Sequence, residues 1–193
     1  MGVSVAAANL PDERNILIVG DSISAAYGID PQSGWVNLLA NKIAQEKKRY
    51  QVINSSISGD MTINGVNRLP NLLKKYQPKI VVIELGGNDG LRGIPINVMK
   101  SNLENLVQQS LASGADVLIA GMKIPPNYGK RYTELFHQLY IDLADNYSLP
   151  IIPFLLDGVG DQPALMQADG IHPTAEAQPY LLELVWDKLR LML

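Results

Sequence analysis

The chain has 193 residues, of which 47% are hydrophobic and 18% charged, and its formal net charge is −3. This length and composition are typical of one globular domain with a substantial core. A net negative charge argues against a nucleic-acid-binding protein, and the continuous apolar runs are far shorter than a membrane span. The absence of cysteine excludes disulfides, and two histidines without cysteine argue against a zinc site. We therefore expect no metal, no nucleic-acid partner and no integral membrane segment.

The N-terminal residues, 1–14, are expected to form a flexible tail ahead of a single domain that spans 15–193. The first nine residues are small and uncharged, and they lack the positive start and long apolar core of an intact signal peptide. The run from Val5 to Ala8 nevertheless resembles the small-residue end of such a peptide. The segment is either the remnant of a trimmed secretory protein or a mobile tail. The first alternative is favoured, and it predicts a periplasmic or secreted protein.

Five short apolar segments recur along the chain and predict β-strands at 16–20, 50–54, 80–85, 117–121 and 151–154. Each segment is continuous and rich in Val, Ile or Leu, as expected of strands that are covered on both faces. Amphipathic stretches between them predict helices around 35–43 and 103–111, over 132–147 and over 175–193. Strand–helix alternation predicts a three-layer α/β/α domain with a five-stranded parallel sheet and right-handed crossovers.

Small polar turns follow the first three predicted strands, where sheets of this kind bind their ligands. The first strand ends at Gly20-Asp21-Ser22, the second runs into a loop that contains Gly59, and the third ends in a turn that contains Asn88. A later loop, 169–172, follows the fifth strand and can reach the same edge. We therefore expect the functional site at the carboxyl ends of the strands.

Ser22 is the candidate nucleophile, because a serine becomes reactive only when a neighbouring base takes its proton. His172 is the candidate base, and Asp169, three residues earlier, can turn back to orient the imidazole and stabilise its charged form. The backbone N–H groups of Ser22 and Gly59 and the side-chain amide of Asn88 are the candidate donors to a developing oxyanion. His137 is expected to be an ordinary helical residue, and the flanking aspartates at 21, 60 and 89 are expected to bond loop backbone.

The same segments resemble the four sequence blocks of the SGNH (GDSL-type) hydrolases, in order: Gly20-Asp21-Ser22, Gly59, Gly86-Gly87-Asn88-Asp89 and Asp169-x-x-His172. Residues 84–93, 126–129 and 169–173 are most similar to the bacterial periplasmic thioesterase, lysophospholipase and arylesterase group. The resemblance implies a flavodoxin-like fold and cofactor-free hydrolysis of small acyl esters or thioesters, such as lysophospholipids or acyl-CoA. It also implies the catalytic and oxyanion roles described above for the five matching residues, Ser22, Gly59, Asn88, Asp169 and His172.

Two apolar segments are candidate walls for an acyl chain. Leu91-Arg92-Gly93-Ile94-Pro95 is either a plain connection or a mobile wall that moves on its flanking glycines. The second candidate wall, 124–128, contributes Ile124 and Tyr128, and Ile171 lies beside the predicted base. Candidate substrate-binding residues are thus Leu91, Ile94, Pro95, Ile124, Tyr128 and Ile171.

Two alternatives remain open beside the esterase interpretation. A flavodoxin-like module could hold FMN or phosphate in the same loops, although the sequence lacks the glycine-rich phosphate motif that precedes Lys-Ser or Lys-Thr. An SGNH carbohydrate deacetylase would use the same site, although the apolar loops favour lipid-like acyl chains. The size of the chain suits a monomer, and the sequence leaves the oligomeric state open.

Overall fold

A computed structural model describes residues 14–46 and 48–193. It contains a sheet of five parallel strands, which confirms the predicted fold class: β1 (Arg14–Gly20), β2 (Tyr50–Asn54), β3 (Ile80–Glu84), β4 (Asp116–Ala120) and β5 (Ile151–Ile152). The strand order is β2-β1-β3-β4-β5. The expected tail, 1–14, lies outside the described residues except for Arg14, which begins β1. The flexible tail therefore stays a prediction.

Helices cover both faces of the sheet: α1 (Trp35–Gln45), α2 (Thr62–Tyr76), α3 (Gly87–Leu91), α4 (Ile96–Ala112), α5 (Lys130–Tyr147) and α6 (Gln178–Leu189). On one face α1 packs against α6, and on the other α2 and α5 pack against α4. The central strands consequently lie between two helical layers, and every residue of β3 is buried. Within the described residues, no helix is both long and apolar enough to cross a membrane.

Helix α2 and strand β5 differ from the sequence-based prediction for identifiable physical reasons. Helix α2 was not predicted, because Pro70 lies inside it and its first turn includes the weak helix formers Asn64 and Gly65. Gly65 is required by packing, since an added Cβ would overlap the side chain of Leu85. Strand β5 is shorter than expected because Pro153 follows it at once, and proline cannot donate a hydrogen bond to a neighbouring strand.

Candidate active site

The carboxyl ends of β1 and β3 lie side by side, with Gly20 opposite Glu84 in the ladder. This register brings the turn after β1 next to the turn that leads into α3. The first turn is closed by two hydrogen bonds: Asp21 Oδ1 accepts from the Ile23 N–H at 3.1 Å, and the Ser22 carbonyl accepts from the Tyr27 N–H at 3.0 Å. Ser22 is 9% exposed, so its hydroxyl lies at the floor of the site.

The predicted base is carried by a short hairpin, 166–173, whose ends are joined by a bridge between Met166 and Pro173. Asp169 shapes the tip of this hairpin: its Oδ1 accepts hydrogen bonds from the N–H groups of Ile171 at 2.9 Å and His172 at 3.0 Å. The carboxylate is thereby folded back towards the imidazole three residues later. The spacing Asp-x-x-His is explained by this local turn.

The structure brings Ser22, His172 and Asp169 into one hydrogen-bonded line. His172 Nε2 lies 2.9 Å from Ser22 Oγ, and His172 Nδ1 lies 2.6 Å from Asp169 Oδ2. Burial alone would raise the pKa of Asp169, but the hydrogen bonds from His172 and Ile171 lower it to about 2. An ionised Asp169 requires the proton on Nδ1, which leaves Nε2 free to accept the serine proton.

Two of the predicted oxyanion donors are backbone N–H groups without a hydrogen-bond partner among the described residues. Within the described part of the chain, neither the Ser22 N–H nor the Gly59 N–H donates to another group. Gly59 has φ 84°, a conformation that disfavours other residues, and an added Cβ would meet no atom within 4 Å. Glycine is therefore needed here for its backbone conformation, with open space for a ligand in front of it.

The third predicted donor, the side-chain amide of Asn88, already donates hydrogen bonds to two other groups. Its Nδ2 donates to Asp21 Oδ2 at 3.2 Å and to the Asp60 carbonyl at 3.0 Å. An amide nitrogen carries two N–H groups, so both are engaged in this structure. Donation to an oxyanion would require one of these two bonds to be exchanged.

A buried carboxyl pair lies behind the nucleophile and was not predicted as a feature of the site. Glu84 is fully buried, and its Oε2 accepts from Ser24 Oγ at 2.6 Å and from the Asp21 N–H at 3.3 Å. Burial, together with the charge of Asp21, raises the pKa of Glu84 well above its usual value. Burial also raises the pKa of Asp21, which hydrogen bonds hold to about 6. The pair therefore binds a proton more tightly than two isolated carboxyl groups would.

Tyr27 is a further neighbour of the base that the sequence did not indicate. Its ring lies against the imidazole of His172, with ring centroids 4.6 Å apart and planes inclined by 41°. Gln167 Nε2 donates to the Tyr27 carbonyl at 2.8 Å and to the Pro173 carbonyl at 3.0 Å. These contacts join the hairpin of the base to the turn of the nucleophile.

An open cleft of about 510 Å³ leads away from Ser22 and His172. Most of its far wall is apolar, and we call this part the acyl groove, defined by Leu91, Met122, Ile124, Phe154, Leu156 and Met166. Ile171 also lines the cleft. Three of the six predicted substrate-binding residues, Leu91, Ile124 and Ile171, are thus at its surface.

The other three predicted substrate-binding residues are not among the described residues that line this cleft. Ile94 packs towards the core, and its carbonyl accepts a hydrogen bond from the Tyr132 hydroxyl at 2.8 Å. Pro95 caps the start of α4. Tyr128 lines a separate shallow depression with Tyr132 and Leu135. The apolar wall consequently consists of residues from the loops after β4 and β5 and from the hairpin of the base, and Leu91 extends it towards α4.

Asp60 and Asp89, whose positions flank the candidate site residues, have structural partners. Asp60 forms an ion pair with Arg68, with 2.8 Å between its Oδ2 and Nε. Asp89 accepts from both the N–H and the hydroxyl of Thr62, which anchors α3 to α2. His137 lies on α5, where burial and the charge of Lys123 lower its pKa. Asp60 and Asp89 were expected to bond only loop backbone, whereas the structure also gives each of them a side-chain partner.

Comparisons with known proteins agree with the predicted resemblance. Residues 18–178 match the model of the GDSL-like lipase/acylhydrolase family. The chain is 50% identical over 180 residues to the esterase TesA of Pseudomonas aeruginosa, covering 93% of this chain and 90% of that protein. It is 42% identical over 168 residues to thioesterase 1/protease 1/lysophospholipase L1 of Escherichia coli (strain K12), covering 87% and 79%. The crystal structure of the psychrotrophic esterase EstA from Pseudoalteromonas sp. superposes with a TM-score of 0.88 at 39% identity, covering 93% of this chain and 97% of that one.

These comparisons confirm the predicted family and support ester and thioester hydrolysis. They favour neither a flavin- or phosphate-binding module nor a carbohydrate deacetylase. The individual roles of the site residues stay predictions that rest on the geometry described above.

Proposed function

Because this chain belongs to the GDSL-like lipase/acylhydrolase family and is an ester and thioester hydrolase, we propose that it works through an acyl-enzyme on Ser22. The observation that carries the proposal is the continuous line from Ser22 Oγ through both nitrogens of His172 to Asp169. Such a line supplies a nucleophile, a base and a group that orients the base.

In the first half of the reaction, Ser22 Oγ attacks the acyl carbonyl while His172 Nε2 takes its proton. The ionised Asp169 stabilises the imidazolium that results. The imidazolium then gives its proton to the departing alcohol or thiol, which leaves the acyl group on Ser22. In the second half, water attacks the acyl-enzyme, His172 takes the water proton, and the same proton returns to Ser22 as the acid departs.

The negative charge that develops on the acyl oxygen is stabilised by preorganised donors. The free N–H groups of Ser22 and Gly59 are available for it without any rearrangement. Asn88 would add a third donor after exchanging one of its present bonds. Loss of one such donor typically costs roughly 3–4 kcal/mol of transition-state stabilisation.

We propose that the acyl groove receives the hydrocarbon chain of the substrate. Its volume and apolar wall support chains well beyond acetyl, which fits fatty acyl esters, lysophospholipids or acyl-CoA. We also propose that the protein acts in the periplasm or outside the cell, supported by the small-residue run at 5–8, and that it acts as a monomer. Cell fractionation and analytical ultracentrifugation test these two proposals.

The experiment for the activity is turnover of p-nitrophenyl esters and acyl-CoA thioesters of graded chain length by the wild type, Ser22→Ala and His172→Ala. The wild type should hydrolyse both classes, whereas each variant should lose at least about a thousandfold in kcat. Circular dichroism of each variant reports whether it is folded. A folded Ser22→Ala variant with more than about a tenth of wild-type turnover would overturn the proposal.

A further inference from the structure

Asn88 is held by two acceptors, and this fixes which end of its amide faces the active site. Asp21 Oδ2 lies 3.2 Å and the Asp60 carbonyl 3.0 Å from Nδ2. Neither an ionised carboxylate nor a carbonyl can donate a hydrogen bond. If the amide rotated by half a turn, its oxygen would face both of these acceptors. The two acceptors therefore select the orientation in which Asn88 presents a donor.

Asp21 in turn forms a hydrogen bond with the buried Glu84. The Glu84 Oε2 accepts from the Asp21 N–H and from Ser24 Oγ, while Oε1 is buried and receives no hydrogen bond. A buried carboxyl oxygen without a donor disfavours the charged form, in agreement with the raised pKa of Glu84. Glu84 thus contacts Asp21 through the Asp21 backbone N–H and fixes the start of the turn that carries the Asp21 carboxylate.

We propose that Asp21 is a positioning residue for the oxyanion hole, and that the chain Glu84–Asp21–Asn88 orients the Asn88 amide as Asp169 orients His172. This inference rests on the proposed function. When the tetrahedral intermediate forms, the acyl oxygen replaces the neutral Asp60 carbonyl as acceptor of one Asn88 N–H. Asp21 keeps the other N–H throughout, since a charged acceptor binds more strongly than a neutral one.

A purely structural role for Asp21 is the competing explanation, because its Oδ1 also accepts from the Ile23 N–H at 3.1 Å and shapes the nucleophile turn. The two roles differ in their coupling to Asn88. A distorted turn would displace Ser22 whether or not residue 88 carries an amide. A positioning role exists only while that amide is present.

The test is a double-mutant cycle of Asp21→Asn and Asn88→Ala, followed as kcat and KM for p-nitrophenyl butyrate at about pH 8, above the range in which Asp21 titrates. Asn88→Ala should lower kcat on the order of 100-fold. Asp21→Asn should lower kcat about tenfold or more with little change in KM, since an asparagine at 21 can donate to Asn88 Oδ1 and reverse the amide. The double variant should be within about threefold of Asn88→Ala alone. Multiplicative losses would overturn the proposal and leave only the turn role.

Two further variants sharpen this result. Glu84→Gln should lose less kcat than Asp21→Asn, because the glutamine oxygen can still accept from the Asp21 N–H and from Ser24 Oγ. Asp116→Asn is the matched control, since Asp116 lies on the surface and forms an exposed ion pair with Lys79 at 3.6 Å. An equal loss in the Asp21 and Asp116 variants would contradict the inference. Loss of the proposed function itself would appear separately, as retained turnover in folded Ser22→Ala.

The titration of Asp21 gives a second readout that does not require the Asp21 variant to fold. The groups that face Asp21 are Glu84 of β3, Asn88 of α3 and His172 of the hairpin. Tyr140 of α5 also senses it: burial raises the pKa of Tyr140 first, and the charges of Asp89 and Asp21 add to this. The cation Arg68 of α2 reaches the neighbouring Gly20 carbonyl at 3.3 Å.

In the His172→Ala variant, which removes the neighbouring imidazole, the two Nδ2 proton resonances of Asn88 can be followed in asparagine-labelled protein. They should shift as the pH passes through the pKa of Asp21, which is about 6 in the wild type and is raised by the loss of His172, whose charge lowers it. Both resonances should be resolved and protected from solvent exchange above that pH. Stationary or freely exchanging resonances would show that Asp21 does not hold the amide, and would overturn the inference.

Discussion

Gly160→Leu should shorten the acyl chains that the enzyme accepts, because Gly160 lines the cleft beside Phe154 and Leu156 of the apolar wall. A Cβ at this position would lie 3.4 Å from Phe154 Cζ and 3.5 Å from the Leu156 carbonyl, which are ordinary contacts. A Cβ therefore fits without moving the backbone, and we expect the rest of the leucine side chain to take up cleft space that a long acyl chain would otherwise fill.

The expected loss of activity follows from the number of substrate methylene groups that the leucine displaces from the cleft. Each buried methylene contributes about 0.8 kcal/mol, so displacing two to four of them costs about 1.6–3.2 kcal/mol. This corresponds to a loss of roughly 15- to 200-fold in kcat/KM for octanoyl or decanoyl esters. Acetyl esters do not extend that far and should be hydrolysed at nearly the wild-type rate.

The assay is kcat/KM for p-nitrophenyl acetate, butyrate, octanoate and decanoate in the wild type, Gly160→Leu and Gly160→Ala. The alanine variant is the matched control, since one added carbon should reduce the octanoate-to-acetate ratio far less than leucine does. Thermal melts of all three proteins report folding. An unchanged ratio in Gly160→Leu, or an equal loss on acetate, would refute the assignment of the acyl groove.

Three other predictions follow from the same geometry. Leu91→Ser should reduce octanoate turnover relative to acetate by up to about tenfold, whereas Ile94→Ser should leave that ratio unchanged; equal ratios in both variants would contradict the placement of the wall. His172→Ala should abolish turnover and His137→Ala should retain most of it, and the reverse result would show that the base is misassigned. The folded protein binds protons at the buried carboxyl pair that the unfolded chain releases, so the free energy of unfolding should fall as pH rises from about 4 through about 6. In Glu84→Gln, urea unfolding across this range should show a weaker fall, and an identical pH dependence would argue against a protonated Glu84.

The sequence predicts the sheet well, and places the candidate triad residues at one edge of it, for a physical reason. Strands that are buried on both faces appear as short apolar runs, and parallel strands bring the turns at their carboxyl ends to one edge. Ser22 could therefore be associated with the loop of His172, although the two residues are far apart along the chain. Their approach to 2.9 Å in the structure depends on the hairpin 166–173, which the sequence did not reveal.

What the sequence did not predict depends on tertiary contacts. Glu84 was read as part of an apolar strand, and nothing local indicates that it shares a proton-binding site with Asp21, 63 positions away. The segment after Asn88 was treated as a loop, but 87–91 is a helical turn. This turn presents Leu91 to the cleft, while the Tyr132 hydroxyl holds the carbonyl of Ile94. Sequence spacing alone cannot separate these two residues.

The most direct measurement of the central claim is the site at which an alkyl phosphonate ester becomes attached to the enzyme. An activated phosphonate reacts with a serine that is deprotonated by its base, and the product keeps one covalent phosphorus group per active site. Intact mass spectrometry should show a single added group on the wild type, peptide mapping should locate it on Ser22, and Ser22→Ala should remain unmodified. Labelling of a different residue, or stoichiometric labelling of Ser22→Ala, would contradict the account.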